Sequence, residues 1–88
     1  MKLHEYETFD EAFKAAMPEG EPPTSKTVVL CLFMAITAPS EKYALSYVMQ
    51  AEAILERLGI GGTDLEEVKA DAKALIAKFG SQMGEVLH

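Results

Sequence analysis

Hydrophobic and polar residues fall in blocks along this chain, and the blocks predict four helical segments. The first opens at Thr8. There Thr8-Phe9-Asp10-Glu11 has the form of a capping box, in which the threonine hydroxyl accepts from an early amide and the glutamate reaches back to the cap. Phe9, Phe13, Ala16 and Met17 make a short apolar stripe, and Asp10 and Lys14 stand at i, i+4 in the favourable order. Pro18 stops the helix. Such a short helix needs packing to be stable. Pro18-Glu19-Gly20-Glu21-Pro22-Pro23 follows as a loop, because proline removes amide donors and glycine breaks helix.

The block from Ser25 to Thr37 is apolar on every side. Its periodicity does not separate helix from buried strand, and Val28, Val29 and Ile36 favour strand. Pairing decides. A strand needs a neighbour for its backbone groups, and no second convincing strand pattern exists in the sequence. A helix satisfies itself, with Thr24 or Ser25 to cap it and Pro39 to end it. The expectation is a helix over 25–37, buried at the centre of the domain. A strand there would require pairing with a second copy of the chain.

The next block has the plainest helical period. Ser40 and Glu41 supply a cap and a favourable first-turn charge. Ala44, Tyr47, Val48, Ala51, Ile54, Leu55 and Leu58 then form one stripe, widened by Leu45, Met49 and Ala53. A helix this broadly apolar is expected to touch two neighbours. Either it is the central helix, or one side of it binds another chain, and both hold in a homodimer. Gly59 is placed to close it as a left-handed cap. Thr63-Asp64-Leu65-Glu66 is a second capping box. It opens a helix with Leu65, Val68, Ala72, Leu75 and Phe79 at heptad spacing. Gly80 ends or weakens that helix. Residues 81–88 read as a tail that continues the spacing through Met83 and Val86.

The expected fold class is therefore all-α. One domain over 1–88 forms a small compact bundle of three main helices (25–37, 40–58 and 63–80) plus a short N-terminal one. The short connection between the last two predicts that they lie antiparallel as neighbours.

Charge changes this picture at one end. The 88 residues carry a formal net charge of −6. Residues 1–23 hold six acidic side chains and two lysines, a net −4. The leading segment is thus acidic as well as proline-rich. No basic stripe is present, which argues against nucleic acid and against anionic membranes as partners. No charge-free apolar run reaches the ~18 residues of a membrane span. The N-terminus has neither the apolar core of a secretory signal nor the basic character of a transit peptide, so a cytoplasmic protein is expected.

Candidate chemistry is sparse. Cys31 lies in the apolar block, so it reads as a small buried hydrophobe, and one cysteine allows no internal disulfide. Gly59-Ile60-Gly61-Gly62-Thr63 resembles a phosphate loop only loosely. No strand precedes it, the lysine is missing, and Glu66 and Glu67 would repel an anion. The carboxylate pairs Glu52/Glu56 and Glu67/Asp71 lack the histidine of a di-iron motif and read as solvated faces. His4 with Glu5 and Glu7 is a loose cluster. A helix-turn-helix through Thr37–Ser40 would offer Glu41, Lys42, Tyr43 and Ser46 to DNA with no arginine, a poor reader. No catalytic residue, metal site or cofactor is assigned.

What remains is surplus apolar surface. Tyrosine and methionine are favoured at interfaces. Tyr43, Tyr47, Met49 and, in the tail, Val86 are the residues expected to contact a protein partner or a second copy of the chain. The expected function is a non-enzymatic protein–protein interaction module or homodimer. Two alternatives stand beside it. One is an acidic mimic that occupies a nucleic-acid-binding protein. The other is a small helical protein that binds a ligand or metal.

Overall fold

The computed structural model describes residues 2–87, with side chains described through Ser81. Among the described residues the chain is all-α. A 3-10 turn at Leu3–Glu5 precedes α1 (Phe9–Ala16), α2 (Ser25–Ile36), α3 (Glu41–Leu58) and α4 (Gly62–Leu87), with no strand. The block at 25–36 is thus a helix and needs no second chain for its backbone.

α2 is the axis of the fold. Thr27, Val28, Val29, Leu30, Cys31 and Phe33 are all buried. An all-round apolar helix can take neighbours on every side, and α2 packs against α1, α3 and α4. Among the described residues the expected pairing of α3 with α4 as neighbours does not form: both pack extensively on α2, α4 also on the 3-10 turn, and neither packs extensively on the other. The reason lies in the stripes. Each amphipathic helix has one continuous core face, and α2 offers enough apolar circumference to occupy both. α3 spends that face on α2 through buried Ala51 and half-buried Ile54 and Leu55. α4 spends its face through buried Val68, Ala72, Leu75 and Phe79. The expectation that α3 touches two neighbours is corrected with it, because among the described residues α2 is the one helix on which α3 packs extensively, and Leu45 and Met49 on its far side are exposed.

Local signals fix the joints. The Thr8 hydroxyl accepts from the Glu11 amide at 3.2 Å, which caps α1. Ser40 does the same for α3, accepting from the Tyr43 amide at 3.4 Å. The left-handed Gly59 closes α3, its φ being 67°. Its amide donates to the Glu56 carbonyl and that of Ile60 to the Leu55 carbonyl, the paired bonds of a Schellman end. The capping box expected at Thr63 is not used. α4 already starts at Gly62, where φ is 56°, so Thr63 lies inside the first turn. α4 also runs through Gly80, where the sequence suggested an end. One helical glycine costs only about 1 kcal/mol, less than a packed helix recovers.

The N-terminal segment is tied down by contacts that no periodicity announces. Leu3 is buried in the core, and the Lys78 ammonium donates to the carbonyl oxygens of His4 (2.8 Å) and Tyr6. At the other end of the 3-10 turn, the Lys2 ammonium reaches Asp71 at 3.1 Å and Glu67 at 3.7 Å. The hydrogen bond and charge of Asp71, followed by the charge of Glu67, hold the Lys2 ammonium above its ordinary pKa. Among the described residues no helix is long and apolar enough to cross a membrane.

Candidate functional site

The sites suggested by carboxylates and glycines resolve into structural roles. Glu67 and Asp71 share the Lys2 ammonium. Glu52 and Glu56 are exposed on α3. Among the described residues no three His, Cys, Asp or Glu side chains gather as a metal site. Glu5 accepts from the Lys2 amide at 3.2 Å, and His4 is half-buried with its Nδ1 enclosed. The glycine turn at Gly59 is the helix end described above. Its amides are directed at the Glu56 and Leu55 carbonyls and not at an anion. Acidic side chains come from every stretch outside α2, and Asp10, Glu66, Glu67 and Asp71 are drawn to lysines.

Cys31 is buried on α2, and burial pushes its thiol above the ordinary pKa. The thiolate is the reactive form, so Cys31 is held inert. Ellman's reagent is expected to leave it unmodified in the folded protein and to label it fully in denaturant. Rapid labelling of the native chain would contradict this placement.

Two concavities stand out among the described residues. One, of about 450 Å³, lies between the start of α2 and the first turns of α4, and Lys2 crosses it to Glu67 and Asp71. Three of its five charged groups, Lys2, Glu67 and Asp71, are therefore engaged with one another. The other, of about 460 Å³, runs along the outer face of α3 and is lined by Lys42, Leu45, Ser46, Met49, Gln50 and Ala53. At 100° per residue these six positions centre opposite the Ala44–Ala51–Leu55 side that meets α2. Leu45 is 59% exposed and Met49 61% exposed. The Gln50 amide donates to the Ser46 hydroxyl at 3.4 Å, so these two groups partly satisfy each other at the groove's edge.

The structure places the four expected contact residues differently from one another. Met49 lines the groove. Tyr43 is 57% exposed, but lies outside the groove lining. Tyr47 is half-buried, on the side turned toward α2. Val86 lies outside the residues whose side chains are described. Leu45, which in sequence only widened the stripe, proves to be a main apolar residue of the groove, and Lys42, Ser46, Gln50 and Ala53 were not singled out as contact residues. A signal for them was present. Positions 42, 45, 46, 49, 50 and 53 follow i, i+3, i+4, i+7 spacing, but the stronger stripe of the opposite face masks it.

No model of a known protein family matches the chain, nor does a curated protein or a solved structure. A functional reading therefore rests on this chain's own residues.

Proposed function

We propose that this chain is a non-enzymatic protein–protein interaction module that works through the outer face of α3. The single observation that carries the reading is the groove in which Leu45 and Met49 stand mostly in solvent on a helix whose core face is already occupied. Two large apolar side chains one helical turn apart, framed by polar Lys42, Ser46 and Gln50, have the apolar-centre, polar-rim layout of a contact surface. Methionine suits such a place because its unbranched thioether adapts to a partner's shape. The opposite side of the helix already serves the fold, so the face is free to bind without unfolding anything. A cytoplasmic setting goes with the proposal, since an unpaired, buried thiol suits a reducing compartment.

The test is site-specific photo-crosslinking in the native cell. A photoreactive side chain at position 49 is expected to give one discrete adduct, identified by mass spectrometry. The same group at exposed Lys73 on α4 is expected to give none. Absence of a discrete adduct from position 49 would sink the reading.

A further inference from the structure

We infer that the partner of the α3 face is a second copy of this chain, docked antiparallel, α3 against α3. The inference rests on the reading of that face as a docking surface and adds the occupant and its register.

Shape is the first argument. Helices that pack side by side insert side chains into holes bounded by four residues at i, i+3, i+4 and i+7. The groove consists of two such holes in succession. Lys42, Leu45, Ser46 and Met49 bound the first, and Ser46, Met49, Gln50 and Ala53 bound the second. A two-fold axis level with Tyr47 and Val48 carries each hole onto the other. In that register Met49 of one copy enters the first hole of the other, and Leu45 enters the second. Both projecting side chains are exposed in the single chain. The groove thus supplies two knobs and two holes that satisfy one another under one symmetry operation.

Charge is the second argument, and it is independent of shape. The same register sets Lys42 of one copy level with Ala53 of the other, between Glu52 and Glu56 and within reach of both carboxylates. All three side chains are exposed, and among the described residues none has an ion-pair partner in its own chain. Lys42 also sits in the first turn of α3, where a cation opposes the helix dipole. Antiparallel docking brings it beside the C-terminal half of the other helix, where a cation is favoured. Parallel docking would set Lys42 against Lys42 and leave that conflict in place.

The groove spans 42–53, about 16 Å of helix. So short a contact is expected to give a reversible dimer, populated between micromolar and millimolar concentration.

Sedimentation equilibrium of the full chain from micromolar to millimolar concentration tests the inference. Wild type is expected to shift from monomer to dimer. Met49→Asp is expected to stay folded by circular dichroism, because the side chain is exposed, and to weaken the dimer at least about thirtyfold. Lys42→Glu and Glu52→Lys each place like charges opposite one another twice, and each is expected to weaken the dimer about fivefold. Mixing those two variants restores opposite charges at both contacts, so the mixed pair is expected to return to wild-type strength. A wild type that stays monomeric to millimolar concentration overturns self-pairing. The photo-adduct at position 49 then tells whether the face serves a different protein. A dimer indifferent to Met49→Asp lies on another face and overturns the inference as well. Loss with Met49→Asp but no rescue in the mixture overturns the antiparallel register.

Discussion

Replacing Phe33 by alanine is expected to remove about 4 kcal/mol of stability, the largest effect of any single substitution considered for this chain. Phe33 is wholly enclosed, at 0% exposure. It stands in the last turn of α2, the helix on which α1, α3 and α4 all pack. The Phe9 ring lies 5.0 Å from it and 5.8 Å from the ring of Phe79, so three aromatic rings join α1, α2 and α4. Truncation leaves a ring-sized cavity whose walls come from three separate elements. They cannot close on it together, and poor collapse is what drives the cost toward the upper end for such changes. A domain of this size holds only roughly 5–13 kcal/mol in total, so a large part of the folded population is at risk. Urea unfolding followed by circular dichroism measures the loss as a fall in midpoint. Phe13→Ala is the control. Its ring is 40% exposed, and the loss there is expected to stay near 1 kcal/mol. Equal losses at the two positions would contradict the placement of the core.

The second large effect is expected at Thr27, the one buried polar residue among those described. Its hydroxyl donates to the Ala16 carbonyl at 2.7 Å and accepts from the Thr24 amide at 3.0 Å. One side chain thereby closes the end of α1 and the start of α2. Thr27→Val keeps the shape and deletes both bonds, leaving a buried carbonyl with no donor. The expected cost is about 2 kcal/mol, the usual penalty for a stranded buried polar group. Thr27→Ser keeps the hydroxyl and loses a methyl, so its cost is expected to be about half as large. Denaturant midpoints for the pair separate hydrogen bonding from packing. Valine is expected to be the worse of the two despite being the more apolar. Hydrogen exchange is expected to quicken first in α1, which Thr27 anchors. If valine matches wild type, the joint is held by packing alone.

Both effects bear on the α3 face. Phe33 and Thr27 hold α2 in place, and α2 is the support against which α3 presents its outer side. Neither residue touches the groove. Substitutions at Leu45 and Met49 are therefore expected to act on association, while those at Phe33 and Thr27 act on folding.

The sequence was readable where one helix's local rules suffice. Pro18 and Pro39 bound the helices they were expected to bound, and the caps at Thr8, Ser40 and Gly59 form because each depends on residues within one turn. The helical state of 25–36 was readable for a different reason, namely that a lone strand has nothing to pair with. The docking of Leu3 and the clasp by Lys78 were not readable. The clasp joins positions more than seventy residues apart, and no periodic signal encodes such contacts.

The deciding difference concerns α3. The sequence determined that this helix carries more apolar surface than one face holds, because Leu45, Met49 and Ala53 lie outside the Ala44–Leu58 stripe. It left open which part of that surface is core. The central place of 25–36 was already expected from its all-round apolar surface, but only the tertiary structure decided that α3 does not share it, and that α4 docks on α2 and not on α3. The physical reason is competition for one apolar cylinder. A helix that is hydrophobic all round attracts every amphipathic neighbour, and once both are docked on it nothing among the described residues covers Leu45 and Met49 on the second side of α3.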